Sequence, residues 1–223
     1  PDALMRHEGI CLAIYSLEGK PGDENYMKML SANHNFNPVD IYGFGSTLWE
    51  DEDGHTYLYG SYNNYDVVVA RSTTHDLDSP WEYYVCDASG QYIWQHSYPT
   101  QEEISRSRIQ ETDCSMPWVF KKGDSYYMVA QSKWFGHEMY IFRSDKPYGP
   151  FIERKSLFSI PNTLDKLGPQ EYGNLYMVNL HPHLSRNGEL VFSTNTDPKD
   201  FWDNFNAVGS ADYYRPYFYC VYN

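Results

Sequence analysis

Positive charge is what this chain has least of: 17 Lys and Arg stand against 30 Asp and Glu, a formal net charge of −13. Binding to a phosphate backbone needs clustered Lys and Arg to displace its counterions, so nucleic acid is excluded as a partner class. The same deficit argues against anionic membrane surfaces and acidic polysaccharides, unless a local basic pocket reverses it. Neutral glycans and cationic ligands stay open. No apolar run reaches the ~18 to 20 residues of a membrane-spanning helix. The four cysteines, Cys11, Cys86, Cys114 and Cys220, show no CxxC spacing, which removes the usual zinc pattern and leaves buried thiols or one or two disulfides. There is no Asn-x-Ser/Thr acceptor and no GxSxG elbow, phosphate-binding loop or GxGxxG, so the serine-hydrolase and nucleotide readings lose their support. The chain also lacks an initiating Met, which reads as a processed or truncated product.

What the chain has in excess is aromatic side chains: 22 Tyr, 11 Phe and 6 Trp among 223 residues, a composition that favours strands. The length suits one well-buried domain spanning 1–223. Its organising stretch is Met116 to Ala130, a strand, a tight turn at Gly123 and a second strand. Aligned on that glycine, Thr47 to Gly54 and His181 to Gly188 fall beneath it, with a fainter copy from Asp2 to Gly9. Each copy is followed by a third apolar run ending at Ser31, Ser72, Ser144 or Ser210, then by Pro38, Pro80, Pro150 or Pro216.

Four repeats of hairpin, third strand, Pro turn and fourth strand predict an all-β fold of four-stranded blades, a β-propeller. The units run over about 1–41, 42–86, 113–158 and 179–223, with long insertions at 87–112 and 159–178. The first insertion carries Glu102, Glu103, Arg106 and Arg108 in a short helix. Because the chain opens almost on an inner strand, an earlier blade is expected to be missing.

Radial sheets bring the starts of their first strands together around an axis, so those entries are where chemistry would converge. Asp2, Glu111, Asp113 and His181 are the acid/base candidates there, provided neighbours split their pKa values. Three of them have a structural alternative: Asp113 as a turn cap, Glu111 as a loop charge, His181 as a satisfied structural imidazole. His183 shares a strand face with His181, so the two could line one pocket or ligate one metal. Sugar rings stack on loop aromatics while polar side chains read their hydroxyls, which makes Trp94, Trp134, His137 and Trp202 binding candidates. Trp49, Trp81 and Trp118 occupy repeat positions and are expected in the core. Arg215, just before Pro216, would pair with an axial carboxylate or close the last sheet through an ion pair.

The stretches MPWVFKKGDSYYMVAQS followed by MYIFRSDKPYGPF, and STLWEDEDGHTYLYGSY followed by VVVARSTTHDLDSPWE, resemble the blade repeat of five-bladed β-propeller glycoside hydrolases, the arabinanase and β-xylosidase group. The ending ELVFSTNT to SADYYRPYF looks closer to secreted bacterial propellers related to that group. The resemblance implies glycosidic-bond cleavage by an Asp base, a second Asp that tunes pKa and a Glu acid, each at an inner-strand start. This chain departs from it: Ser115 or Met116 stands where the Glu is expected, and Ser46 and Thr47 where an Asp is expected, so that only Asp2 matches.

The expectation is therefore a secreted, periplasmic or cell-surface carbohydrate-active propeller, hydrolysing a neutral or weakly charged oligo- or polysaccharide without a cofactor, with room for a structural cation near the axis. The alternative is a non-catalytic glycan-binding or surface-assembly propeller. Oligomeric state is left open.

Overall fold

A computed structural model describes residues 9–24, 26–37, 42–133, 135–160, 172–198, 200, 202–206, 208 and 216–222. They form four antiparallel sheets, each a meander in chain order, as in β-propellers. The first is a ribbon of β1 (Ile10–Leu17) and β2 (Met27–Asn37). The second holds β3 (Thr47–Glu50), β4 (Thr56–Tyr62), β5 (Asp66–Ser72), β6 (Trp81–Cys86) and β7 (Tyr92–Gln95). The third holds β8 (Ser115–Lys122), β9 (Ser125–Gln131), β10 (Glu138–Ser144) and β11 (Ile152–Ser159), and the fourth β12 (Tyr172–Leu180), β13 (Glu189–Pro198) and β14 (Pro216–Tyr222). The first strands are neighbours: β3 packs beside β8, and β8 beside β12.

The hairpins close where the repeat glycines stand. Gly54, Gly123 and Gly188 have φ of 93°, 61° and 80°, a region that costs a residue with a Cβ and leaves glycine free. On either side, β-branched and aromatic residues fill both faces of the strands, because each middle sheet is covered on both sides. Tyr57, Tyr59, Val67 and Val69 of the second sheet meet Val119, Met128, Ala130 and Phe142 of the third in one core. The third and fourth sheets share another, with Val129 and Met139 against Leu175, Val178, Leu180 and Phe192. The outer face of the second sheet is closed by Tyr42, Phe44 and Ile104 over Leu58, Val68 and Val85.

Ile104 reaches that core from α1 (Gln101–Arg106), a single short helix started by a capping box. The Thr100 hydroxyl accepts from the Glu103 N–H at 3.2 Å, and the Glu103 carboxylate accepts from the Thr100 N–H at 2.8 Å.

A strap of chain stitches the second sheet to the third. Ile109 N–H donates to Val67 C=O at 3.0 Å and Cys114 N–H to Tyr65 C=O at 3.1 Å, while the Gln110 amide takes the Val67 N–H at 3.0 Å and gives to Tyr65 C=O at 2.8 Å. On its other side the strap pairs with the start of β11 through Gln110 and Phe151. Its far end enters β8 through a bulge, where Met116 sits at φ 52°.

Three expectations are corrected. Residues 87–112 are not simply a polar insertion with a helix: Tyr92-Ile93-Trp94-Gln95 adds β7 to the edge of β6, since its apolar side chains have the rings of Tyr84 and Tyr148 to pack on. The inner strand of the fourth unit is Tyr172–Leu180 and not the stretch beginning at His181, because Leu175, Val178 and Leu180 supply the apolar face that the third sheet needs. Its third strand is β14; of the Asn206 to Ser210 run expected to supply that strand, Asn206 instead ends a helical turn, α2 (Asp203–Asn206), and 207, 209 and 210 lie outside the described residues. The Asp2 to Gly9 copy lies outside the described residues except for Gly9. No helix among the described residues is long and apolar enough to cross a membrane.

Candidate functional site

The strap that carries chain into β8 also carries the two carboxylates expected at its entry, and sends them to different places. Glu111 gives its N–H to Phe151 C=O at 3.1 Å and takes the Arg154 N–H on its carboxylate at 2.6 Å, which fixes it against β11, the strand farthest from the inner edge. Asp113 instead pairs with Arg108, Nη1 to Oδ1 at 2.9 Å. The same Nη1 lies 3.1 Å from Asp66 Oδ1 at the start of β5. Through this shared nitrogen, contacts of 3.1 and 2.9 Å hold the two carboxylate oxygens no more than about 6 Å apart.

Their surroundings differ. The Asp66 side chain is 22% exposed and that of Asp113 63%. Burial raises the Asp66 pKa, the Arg108 charge opposes that, and Asp113 adds to the rise. Arg108 is itself held in place by Nε donating to Gln110 C=O at 2.7 Å. Asp66 and Arg108 were invisible as partners in the sequence, being 42 residues apart. The available signal was the Asn63-Asn64 turn, both residues at positive φ, which returns β5 to the end of the sheet where β8 begins.

The histidines lie at the opposite end of the inner strands. His181 follows β12, its Nε2 2.7 Å from Ser193 Oγ and its ring 5.5 Å from that of Phe218. Ser193 and Phe218 pair across β13 and β14, and Phe218 is exposed; this is the face turned away from the third sheet. The His183 ring is 5.7 Å away, edge to face, and burial with the His183 charge lowers the His181 pKa. The structure therefore brings His181 and His183 together, and brings neither to Glu111 or Asp113, because an entire strand length separates the two ends of a sheet. Among the described residues no group of three or more His, Cys, Asp or Glu side chains could hold a metal ion. All four cysteines are free thiols, Cys86 and Cys114 buried, Cys11 and Cys220 exposed.

Of the aromatic candidates, Trp94 is taken up by packing: the Arg71 guanidinium sits 4.1 Å over its ring, and Tyr57, Tyr84 and Tyr148 surround it. Its loop assignment misled, since β7 turns that loop into a sheet edge. His137 Nδ1 meets Ile160 C=O at 3.3 Å and serves the turn between sheets. Trp202 is exposed beside Phe205. Asp2, Trp134 and Arg215 lie outside the described residues.

At the turn end, the inner strands frame a cleft of about 1020 Å³. Trp49 of β3, Trp118 and Phe120 of β8 and Tyr127 of β9 line it, with Leu180 and Pro182 opposite. Trp49 and Trp118, expected in the core, are partly exposed here because the cleft interrupts the packing between sheets. Trp49 is oriented by its indole N–H, which donates to Asp51 Oδ2 at 2.7 Å. Asp51 is 4% exposed. Burial pushes its pKa up, but hydrogen bonds from Trp49, Tyr126 and the Asp53 N–H, together with the Lys121 charge, outweigh this and leave it below 3.8.

No curated protein matches this sequence. Among solved structures, that of "a putative hydrolase" from Bacteroides ovatus ATCC 8483 is 60% identical over all of this chain, with a TM-score of 0.92. The match takes in 55% of that protein, so the chain spans a little over half of its length. The Cellvibrio cellulosa alpha-L-arabinanase, solved with arabinohexaose, shares the fold at 13% identity and a TM-score of 0.50, over 93% of this chain and 63% of its own. A family model described as Domain of unknown function (DUF5005) matches residues 2–223, and the chain belongs to that family.

Proposed function

We propose that this propeller hydrolyses glycosidic bonds in a neutral or weakly charged glycan, with Asp66 and Asp113 as its acid/base pair. The carrying observation is the pair itself: two carboxylates within about 6 Å on one guanidinium, in environments of unequal exposure. A glycosidase needs one carboxyl that keeps its proton and one that stays ionised. Asp66, whose pKa is raised by burial, is the proton donor to the leaving oxygen; Asp113, paired with Arg108 and open to solvent, is the carboxylate that attacks or activates. A separation of no more than about 6 Å falls short of the ~6.5 to 9.5 Å of inverting enzymes and leaves room for the ~5 to 5.5 Å of retaining ones. The propeller shared with an arabinanase and the 60% identity to a protein described as a hydrolase support the reading.

A second reading, a glycan-binding propeller without turnover, is favoured by one specific feature. Ser46 and Ser115, at the inner-strand starts where the resemblance calls for carboxylates, spend their hydroxyls on Tyr59 C=O at 2.9 Å and Lys133 C=O at 2.7 Å. The test is sugar release from a panel of plant, algal and host glycans, measured beside glycan binding. Asp66→Asn and Asp113→Asn should each lower release by about 100-fold or more, with binding kept. Unchanged release in both variants refutes the pair. Binding with no release by the unaltered protein selects the second reading.

A further inference from the structure

The cleft at the turn end reverses the charge of the rest of the molecule. Overall, acids outnumber bases 30 to 17, yet the cleft is lined by Lys121, Lys122 and Arg186 against a single acid, Glu189. That acid is engaged by hydrogen bonds with Cys220 and Tyr222. Lys121 is taken by Glu52 at 2.8 Å. Lys122 and Arg186 are exposed and, among the described residues, form no ion pair. These two exposed cations stand at the mouth of an aromatic cleft, where an anionic ligand would neutralise them.

We infer that this cleft binds an oligosaccharide carrying an anionic group, a carboxylate or a sulfate, through Lys122 and Arg186 and the rings of Trp49, Trp118 and Phe120. The rings supply what a sugar needs on its C–H faces, and they are pre-set. Trp49 is held by Asp51, and Phe120 stacks on Tyr127 with centroids 5.6 Å apart. A rigid platform spares the ligand the ordering cost of mobile side chains. The volume of about 1020 Å³ exceeds the usual small-molecule pocket and suits several linked rings. Arg offers two parallel N–H donors to a carboxylate or sulfate, and Lys a compact charge. Repulsion from the acidic bulk is screened beyond a Debye length of about 8 Å at physiological salt, so the local cations dominate what a bound anion feels.

The site is separate from Asp66 and Asp113. Those residues stand at the entry of β8, whereas Lys122 is the last residue of that strand, seven steps from Ser115 or roughly 23 Å, and Trp118, the lining ring on β8 nearest the pair, is five residues beyond Asp113, roughly 16 Å. Occupancy of the cleft can therefore fail or succeed independently of hydrolysis.

The test is titration calorimetry of the full chain with a tetragalacturonate, a sulfated oligosaccharide and a neutral arabino-oligosaccharide of matched length, at low and at physiological salt. Tighter binding of one or both anionic probes than of the neutral one is expected, with Lys122→Ala and Arg186→Ala each weakening it about tenfold and flattening its salt dependence. Trp118→Ala should weaken all ring-bearing probes. A preference between the two anionic probes identifies the charged group. Equal binding of the neutral probe, no binding of any probe, or anion affinity unchanged in both exposed-cation variants overturns the inference. Both cations are exposed, so loss of fold does not confuse the result, and unfolding curves of the variants should overlay that of the unaltered protein.

Discussion

Replacing Asp51 with Ala removes one carboxylate from the β3–β4 turn and exposes how that turn positions an aromatic platform. Three donors lose their acceptor: the Trp49 indole N–H at 2.7 Å, the Asp53 N–H at 3.1 Å and the Tyr126 hydroxyl. Hydrogen bonds to a charged group contribute about 1.5 to 3 kcal/mol each. Asp51 is 4% exposed, so water replaces these bonds poorly. Partial relaxation of the turn offsets some of the loss, and we expect about 3 kcal/mol for Asp51→Ala, with about half of that for Asp51→Asn, which keeps one acceptor. In urea, with a slope near 3 kcal/mol/M for a chain of this size, the midpoint should fall by about 1 M at pH 7 with the slope unchanged. The pH dependence has a definite sign. The folded-state pKa lies below 3.8, so the stabilisation is fully present above that value and disappears as pH falls through the lower folded pKa. The gap between the unaltered protein and Asp51→Ala should therefore be widest at pH 7 and close toward pH 3. A midpoint that does not move at pH 7, or a gap as wide at pH 3 as at pH 7, would refute this account of the turn.

Two further perturbations probe other links. Gly60 lies in the middle of β4, where a Cβ would sit 2.5 Å from Tyr42 C=O and 3.0 Å from Phe44 N, backbone atoms that cannot swing aside; Gly60→Ala should cost about 2 to 3 kcal/mol and lower the thermal midpoint by roughly 5 to 10 °C in calorimetry. For His181 the folded pKa is lowered below 6.5, so its contribution is present above that value and lost as pH falls through the folded pKa; His181→Gln should flatten the decline in urea midpoint between pH 7 and pH 5, and an unchanged decline would show that burial is not what moves this imidazole.

The middle sheets were legible because three signals agree there: glycine at each hairpin, β-branched residues such as Val67 to Val69 on both faces, and Pro ahead of the fourth strand. β7 was not, since Tyr92 to Gln95 is short, lies among polar residues and becomes a strand only when Tyr84 and Tyr148 offer it a surface. In the fourth unit the turn glycine was found correctly, yet the strand before it was placed too late: the turn spans His181 to Gly188 and is longer than the Gly123 turn, so fixed counting from the glycine lands on the loop. That offset moved His181 and His183 from an expected strand entry to a strand exit. Glu111 was assigned to the axis because its position before β8 suggested it, but the bond from Arg154 N–H pulls it to the sheet's outer edge. The aromatics of the cleft failed to announce themselves for the opposite reason. Trp49 and Trp118 occupy repeat positions, and whether a repeat position is core or surface depends on how far the next sheet closes over it.

The strap from Ile109 to Cys114 has a meaning for how the molecule comes apart. Its hydrogen bonds run to Tyr65 and Val67 on one side and to Phe151 on the other, so opening either sheet breaks pairings that belong to both. Sheets joined only by side-chain packing can open one at a time, in the manner of a repeat array with weak neighbour coupling. Here the second and third sheets share a backbone seam and become one cooperative unit, whereas the β1–β2 ribbon, with Leu17, Met27, Met29 and Leu30 exposed, has no such tie among the described residues. The seam also makes Asp113, which lies within it, and Arg108, which precedes it, part of the most persistent piece of the protein, so the Asp66–Asp113 pair would stay assembled while peripheral strands exchange.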